Sequence, residues 1–271
     1  MEAYDDIAFL YNMAVEKNIG QSNFSGLTSP KIYAYFSSLK IANESRQAID
    51  LGCGTGQLSI FLANNSMQVT AIDISSSMLT IARSNALRAG CNENIKFVQQ
   101  DIVSGSLFEP AALITAIFSV INHLPDETAV FTLFRKVFKA LKFGGLFTFD
   151  VNTAINLERW NNINCQEIEC DFGDIDHATV ISRRTHHPEE KRNSTEITSF
   201  FREKNGHNYR RSGSCIYSYI YKLDRLRVML LEVGFSDVQI VDVDLKPLVD
   251  PEAHDVVFLL VSKNNAIDKE I

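Results

Sequence analysis

The chain has 271 residues, 45% of them hydrophobic and 22% charged, with a formal net charge of −7. This composition suits one sizeable globular core, and the acidic balance argues against a sequence-blind nucleic-acid binder, which needs clustered Lys and Arg to neutralise phosphates. No apolar run follows the acidic residues 1–6, the longest apolar stretch (111–121) is too short to span a bilayer, and five cysteines without a C-x-x-C pair fit a reducing cytoplasm.

Residues 1–20 carry Tyr4, Ile7, Phe9, Leu10 and Tyr11 in a weakly helical pattern. A turn-rich stretch at 23–30 follows. Pro30 then opens a second helix through Ile32, Tyr33, Phe36 and Leu39, since proline is favoured at the first helical position. Residues 1–46 therefore read as a helical cap on the main fold. From residue 47 strand and helix alternate, with strands predicted at 48–51, 68–73, 95–99, 111–120 and 146–150. The helices between them span 57–63, 75–89 and 126–142. Ser75 is the expected N-cap of the second helix and Gly90 its stop. The third carries the stripe Val130, Phe131, Phe134, Val137, Phe138 and Leu141 and ends at Gly144-Gly145. Such alternation builds a parallel, doubly wound sheet with ligands at the C-terminal strand ends.

The pattern changes after this core, which spans 47–155. Residues 165–220 read as extended segments broken at Gly173-Asp174, at 188–193 and at Asn205-Gly206. A helix at 223–233 stopped by Gly234, then strands at 238–243 and 256–261, close the chain. The expected architecture is an α/β, Rossmann-like, doubly wound seven-stranded sheet. An antiparallel insertion at 156–220 forms a lid, and residues 221–271 complete the core sheet.

The run Asp50-Leu51-Gly52-Cys53-Gly54-Thr55-Gly56-Gln57 joins the first strand to its helix. Its glycines can take positive φ and let the backbone approach a ligand at a helix N-terminus. A dinucleotide fingerprint would place its third glycine where Gln57 stands, and the Gly-Lys-Ser/Thr of a P-loop is missing. The acid-x-G-x-G-x-G spacing resembles the first motif of class I S-adenosylmethionine-dependent methyltransferases. Asp73 ends the second strand, where that family places the acid that takes both ribose hydroxyls, a role suited to two acceptors and no donor. The segment 74–79 is similar to the family's S-x-x-M-L, whose apolar members cover the adenine. Asp101-Ile102 matches its adenine-binding acid–apolar pair, and Gly144-Gly145-Leu146 is a further hallmark.

The resemblance covers residues 47–150 and implies S-adenosyl-L-methionine as cofactor. It assigns Asp50, Gly52, Cys53, Gly54, Gly56, Gln57, Asp73, Ile74, Met78, Asp101 and Ile102 to the cofactor, with Phe118 and Tyr33 beside them. Each acid alone also suits a plain capping role. Three of them at three successive strand ends speak for a site. Cys53 reads as a small filler of the turn, not a nucleophile.

Methyl transfer from a sulfonium needs an aligned nucleophile and exclusion of water, and a hydroxyl acceptor also needs a base or a metal. His123 is the candidate base. It lies past the fourth strand in Ile121-Asn122-His123-Leu124, a run similar to a stretch of small-molecule N-methyltransferases, including those acting on amino sugars. Packing against the helix that starts at Asp126 is the alternative. The opening Tyr4-Asp5-Asp6-Ile7-Ala8 with Tyr11 resembles a family segment in which a Tyr closes over the cofactor's methionine end, although Asn12 replaces the usual Asp. Tyr33 either contacts that same end or packs in the core.

Asp150, Asn152 and Trp160 are expected at the substrate pocket. Asp150-Val151-Asn152 looks like the FD-x-N of a bacterial subgroup with a β-rich insertion, and Asp150 would either neutralise a cationic amine or cap the next segment. Phe200, Phe201, Tyr209 and Tyr217 are expected on the inner face of the lid, with plain core packing the alternative for each. Arg183-Arg184 and Arg210-Arg211 either meet an anionic substrate or face solvent. His186-His187 point to opposite faces of a strand and read as part of a solvated turn, so no metal site is expected. The expected protein is a cytoplasmic methyltransferase acting on N or O of a small molecule, as a monomer or homodimer, without nucleic-acid or membrane partners. A tRNA or protein methyltransferase and a non-catalytic cofactor-binding regulator are the alternatives.

Overall fold

The computed structural model describes residues 7–16, 24–106, 108–159, 161–172, 175–204 and 206–263. The chain opens with helices α1 (Ala8–Glu16) and α2 (Phe24–Ser37). Pro30 lies inside α2 and does not open it, so most of the expected turn at 23–30 is helical. A proline there removes one backbone bond, to the carbonyl four residues back. Next come β1 (Gln47–Leu51), α3 (Gln57–Asn64), β2 (Gln68–Asp73), α4 (Ser76–Arg88), β3 (Ile95–Gln99), β4 (Ala111–Ala116), α5 (Glu127–Ala140) and β5 (Leu141–Asn152). Ser75 caps α4 as expected, its hydroxyl accepting from the Met78 N–H at 3.0 Å, and Asp126 caps α5 from Ala129 at 2.8 Å. The remaining elements are α6 (Ala154–Glu158), β6 (Asn162–Phe172), β7 (Ile175–His187), β8 (Arg192–Glu203), β9 (Tyr209–Tyr219), α7 (Leu223–Val233), β10 (Asp237–Val241) and β11 (Val256–Ser262).

Seven strands form the main sheet in the order β3-β2-β1-β4-β5-β11-β10. The first five run parallel, while β11 is antiparallel to both β5 and β10. Chain order reverses between β1 and β4, so a crevice opens above their C-terminal ends. All six residues of β4 are buried, because strands flank it and helices cover both faces. Phe134 and Val137 of α5 join Leu226 and Leu230 of α7 on one face. Ile32, Phe36, Leu58, Leu62 and Leu79 of α2, α3 and α4 cover the other. Among the described residues no helix is long and apolar enough to cross a membrane.

Two expected boundaries move. Strand β4 stops at Ala116, not at 120, because the backbone turns left-handed at Phe118 and Ser119. Gly144-Gly145 lies inside β5 and does not end α5, at a shift in register against β4 between Ala111 and Leu113. A Cβ at Gly145 would stand 2.8 Å from the Ala112 carbonyl oxygen, so the shift requires glycine.

The other four strands form a separate antiparallel sheet, β6-β7-β8-β9, in the segment expected to act as a lid. The β7–β8 hairpin turns through Pro188–Glu190 and a left-handed Lys191. Gly173, Asp174 and Asn205 of the other expected turns lie outside the described residues. Strand alternation places Ala178 and Phe201 on the inner face, packed on Leu10 and Met13 of α1, with Phe9 and Phe201 ring centroids 5.7 Å apart. Phe201 thus faces inward as expected. Its neighbour Phe200 cannot do so, and the register puts Tyr209 and Tyr217 on the outer face with it, where they are 54% and 41% exposed. Helix α1 lies between lid and core. Asn12 accepts from Asn85 Nδ2 of α4 at 3.0 Å, and Arg88 pairs with Glu16 at 2.9 Å.

Phe134 is fully buried between Phe147 and Phe149, at centroid distances of 6.0 and 5.5 Å. Phe134→Ala should lower the unfolding free energy by about 3–5 kcal/mol, read as a shift in denaturant midpoint.

Candidate active site

The turn from β1 into α3 holds Gly52, Gly54 and Gly56 at φ of 65°, 52° and 87°. A Cβ on Gly52 would lie 2.6 Å from Val120 Cγ2, so a side chain there collides with the loop that leaves β4. Asp50 braces the turn from inside. It is buried and accepts from Ser59 Oγ at 2.6 Å and Thr115 Oγ1 at 2.9 Å, joining β1 to α3 and β4. Burial raises its pKa to about 6, against the lowering effect of those two hydroxyls. Asp73 accepts from the Gly54 N–H at 2.8 Å and the Ser75 N–H at 2.9 Å. Burial first, then the charges of Asp50 and Asp73, push the Cys53 thiol well above its usual range, which leaves it a neutral filler. Gln57 is the first residue of α3.

At the end of β3, Asp101 accepts from the Val103 N–H at 2.7 Å and from Ser104 Oγ at 2.9 Å. Burial pushes its pKa up, but these donors and the charge of Lys136 outweigh it and hold the carboxyl below its ordinary value. The buried Lys136 of α5 donates to the carbonyls of Ile102, Val103 and Gly105 at 2.7, 3.3 and 3.0 Å, and so shapes this loop. Sequence reading missed it. The signal was a lysine three residues from Leu133 and four from Ala140, on the buried stripe of the helix. Ile74 is 38% exposed after β2, Met78 is buried in the first turn of α4, and Ile102 packs at the core edge.

After β4, Phe118 and Ser119 take φ of 72° and 64°, a conformation that costs non-glycine residues roughly 1–3 kcal/mol each. Asp150 holds them there. It is 1% exposed and accepts from the Phe118 N–H at 2.5 Å and the Ser119 N–H at 2.9 Å. This corrects the expected placement of Asp150 beside a substrate amine, because its oxygens face the backbone of the loop. Burial raises its pKa to about 6, opposed by the Ser119 and Phe118 N–H groups. Asn152 Nδ2 donates to Ser119 Oγ at 2.7 Å.

The same loop is held from the lid side. Fully buried Asn122 donates through Nδ2 to the carbonyls of Asn152 (3.1 Å) and Tyr219 (2.9 Å), and its Oδ1 accepts from the Asn152 N–H at 2.9 Å. The Tyr221 hydroxyl donates to the Leu124 carbonyl. Between them, His123 Nδ1 lies 2.8 Å from the Tyr217 carbonyl oxygen. A carbonyl only accepts, so Nδ1 carries the hydrogen and Nε2 the lone pair. Burial holds the ring below its ordinary pKa of 6.5, against the opposing effect of that bond. Burial thus favours the neutral imidazole, and the Tyr217 carbonyl favours the tautomer with its hydrogen on Nδ1. Sequence reading singled out His123 and passed over Asn122, whose role depends on the lid strand 97 residues later.

Helix α1 brings Tyr11 over both loops. Its ring meets Phe118 edge-on at 5.9 Å, and Cε1 would sit 3.7 Å from a Cβ on Gly54. Burial, then the charges of Asp73, Asp150 and Asp50, raise the phenol well above its ordinary pKa, so Tyr11 keeps its proton. Asn85 Nδ2 donates to both Asn12 Oδ1 and the Thr55 carbonyl, so Asn12 ties α1 to the glycine turn. Tyr33 takes the packing role of the two left open. Its hydroxyl donates to the Asn65 carbonyl at 3.2 Å, accepts from Arg46 Nη1, and the ring packs on Phe61. Arg46 precedes β1 and Asn65 ends α3, so Tyr33 sits at the sheet edge opposite the C-terminal strand ends.

Trp160 and residues 4–6 lie outside the described residues. His186 and His187 are engaged by Asn193 and Ser194 at the β7–β8 hairpin. Among the described residues no cluster of three His, Cys, Asp or Glu side chains could hold a metal ion.

Residues 48–145 match the family described as methyltransferase domain. A putative methyltransferase of Geobacillus sp. (strain WCH70) is 27% identical over 222 residues, which cover 81% of this chain and 85% of that protein. A putative methyltransferase of Bacillus subtilis is 34% identical over 116 residues, or 42% of this chain and 45% of its own length. Among solved structures, an S-adenosylmethionine-dependent methyltransferase from Clostridium acetobutylicum superposes with a TM-score of 0.73 at 21% identity, over 97% of this chain and 100% of the other. A sugar N-methyltransferase from Streptoalloteichus gives 0.71 at 12% identity, over 89% and 88%.

Gly52→Ala forces a clash with Val120 in a left-handed backbone, and should weaken S-adenosylhomocysteine binding at least tenfold in calorimetric titration; Val120→Ala should restore it only in part. Protonation of Asp150 turns one acceptor into a donor and frees an N–H of the 118–119 turn. Binding should therefore weaken as the pH falls from 7.5 to 5, through the value of about 6, and Asp150→Asn should bind weakly throughout. Stability runs the other way for this group. Its folded pKa exceeds its ordinary 3.8, so its contribution is full below about pH 4 and is lost as the pH rises through about 6.

Proposed function

We infer that this chain, a class I S-adenosylmethionine-dependent methyltransferase, carries a methyl group to a nitrogen or oxygen of a small molecule held between the post-β4 loop and the lid. One observation carries the small-molecule part of this reading. The antiparallel sheet is bonded through β9 to the loop that presents His123, so an acceptor that reaches the base lies under the lid. A roofed site of this kind suits a metabolite better than a folded RNA or protein surface. The Streptoalloteichus relative, described as a sugar N-methyltransferase, shares the fold and favours the same class.

The residues present fit the cofactor. The left-handed glycine turn gives a backbone cradle without side chains, Asp73 offers carboxylate oxygens at the end of β2, and Ile74 and Ile102 supply apolar surface at the ends of β2 and β3. In this reading Asp73 takes the ribose diol, and the loop shaped by Asp101 and Lys136 lies beside the adenine. Tyr11 closes the methionine end, and Asp50 acts through the turn, which it braces. Bound S-adenosylmethionine supplies an electrophilic methyl, which leaves alignment, exclusion of water and removal of the acceptor proton to the chain itself. His123 is the group that removes the proton. Its Nε2 lone pair accepts it, and the Tyr217 carbonyl stabilises the imidazolium through Nδ1–H.

His123→Gln should lower kcat by about 10²–10⁴ while the dissociation constant for S-adenosylhomocysteine stays within twofold. A kcat equal to that of the parent protein removes His123 from the chemistry.

A further inference from the structure

The lid is supported at two ends. At one, Ala178 and Phe201 rest on α1. At the other, Asn193 Nδ2 donates to the Leu157 carbonyl of α6 at 2.7 Å, and Ser218, opposite Asn193, lies on β9 between its two bonded carbonyls. The strand register fixes what spans the gap on the inner face. Arg184, Thr195 and Ile216 form one cross-strand row, and Ser182, Ile197 and Ser214 the next. All six are half-buried, while on the opposite face Ile181, Arg183 and Glu196 are exposed and Thr198 and Cys215 are half-buried.

We propose that these two rows are the acceptor-binding roof, and that the acceptor is a hydrophilic molecule with an anionic group, a carboxylate or phosphate ester, which Arg184 receives. The proposal rests on the reading that the chain methylates a small molecule under this lid. Three hydroxyls and a guanidinium make up four of the six roof side chains. An apolar acceptor would cover this polar surface without offering it a hydrogen bond, a penalty that makes such sites disfavour it. Burial alone draws Arg184 below the usual arginine range, so water is partly excluded around it. A planar guanidinium in that setting matches a carboxylate or phosphate with two parallel hydrogen bonds. The strand order also sets a direction. Arg184 lies on β7, two strands from β9, whose Tyr217 carbonyl meets His123, so the anionic group and the methylated atom lie toward different sides of a short molecule.

The test incubates the full chain with deuteromethyl-labelled S-adenosylmethionine and a soluble metabolite extract, and identifies the labelled products by mass spectrometry. Anionic, water-soluble products are expected, with phosphatase sensitivity separating phosphate esters from carboxylates. For such a product, Arg184→Gln should lower kcat/KM at least tenfold, mainly through KM, with S-adenosylhomocysteine binding unchanged. Arg184→Lys should fall between, and Arg183→Gln on the outer face should match the parent. Neutral or lipid-soluble products overturn the proposal whatever the variants do, as does an Arg184→Gln enzyme that binds S-adenosylhomocysteine and turns over at the parental kcat/KM. Label found only on RNA or protein, or nowhere, overturns instead the small-molecule reading on which the roof depends.

Discussion

Two left-handed residues turn the chain as it leaves β4, and the carboxylate of Asp150 holds both of their N–H groups. Much else follows from this contact. The turn sets Val120 against Gly52, which is why no side chain fits at that glycine. It also directs Asn122, His123 and Leu124 toward β9 and the segment after it. An unsupported turn of this kind would cost several kcal/mol. A buried carboxylate on the neighbouring strand can hold it because β4 and β5 run parallel, with Ala116 paired to Phe149.

The lid and the core therefore share one loop. Asn122 bonds at once to β5 and to β9, so any shift of β9 reaches the residue before His123. Helix α1 forms the second joint. It presents Leu10 and Met13 to the lid, Asn12 to α4 and Tyr11 to the glycine turn. On the proposed assignment of cofactor and acceptor, both ends of the site share these elements, which suits a reaction needing alignment and dryness more than elaborate acid–base chemistry.

Much of the fold was legible from the sequence, because the signals were local. Continuous apolar strands, the Ser75 cap and the Gly234 stop each act within a few residues of where they are read. The misplaced boundaries come from tertiary contacts that override such signals. Pro30 sits inside α2, and Gly144-Gly145 fits beneath a carbonyl of β4 instead of ending a helix. In the site, the glycine turn and the three acids at strand ends were readable as a pattern, but the partners that decide the role of each acid were not. Asp50 and Asp150 look alike in sequence, as acids at the ends of apolar strands. One braces hydroxyls from α3 and β4, the other a strained backbone, and neither pairing is close in the chain for both partners. For Tyr33 the sequence left packing and cofactor contact both open, because an aromatic in an N-terminal helix carries no mark of which end of the sheet it reaches; it packs on Phe61. On the lid, alternation separates Phe200 from Phe201, and it excludes three of the four aromatics expected inside.

The central claim is that the lid fixes His123 as a neutral base with its hydrogen on Nδ1. Nitrogen-15 NMR of histidine-labelled protein with S-adenosylhomocysteine bound tests it directly, using His123→Gln to assign the signal. The account predicts, at pH 7, a protonated Nδ1 and an unprotonated Nε2 for this ring. An imidazolium at pH 7, or a hydrogen on Nε2 in place of Nδ1, would contradict it.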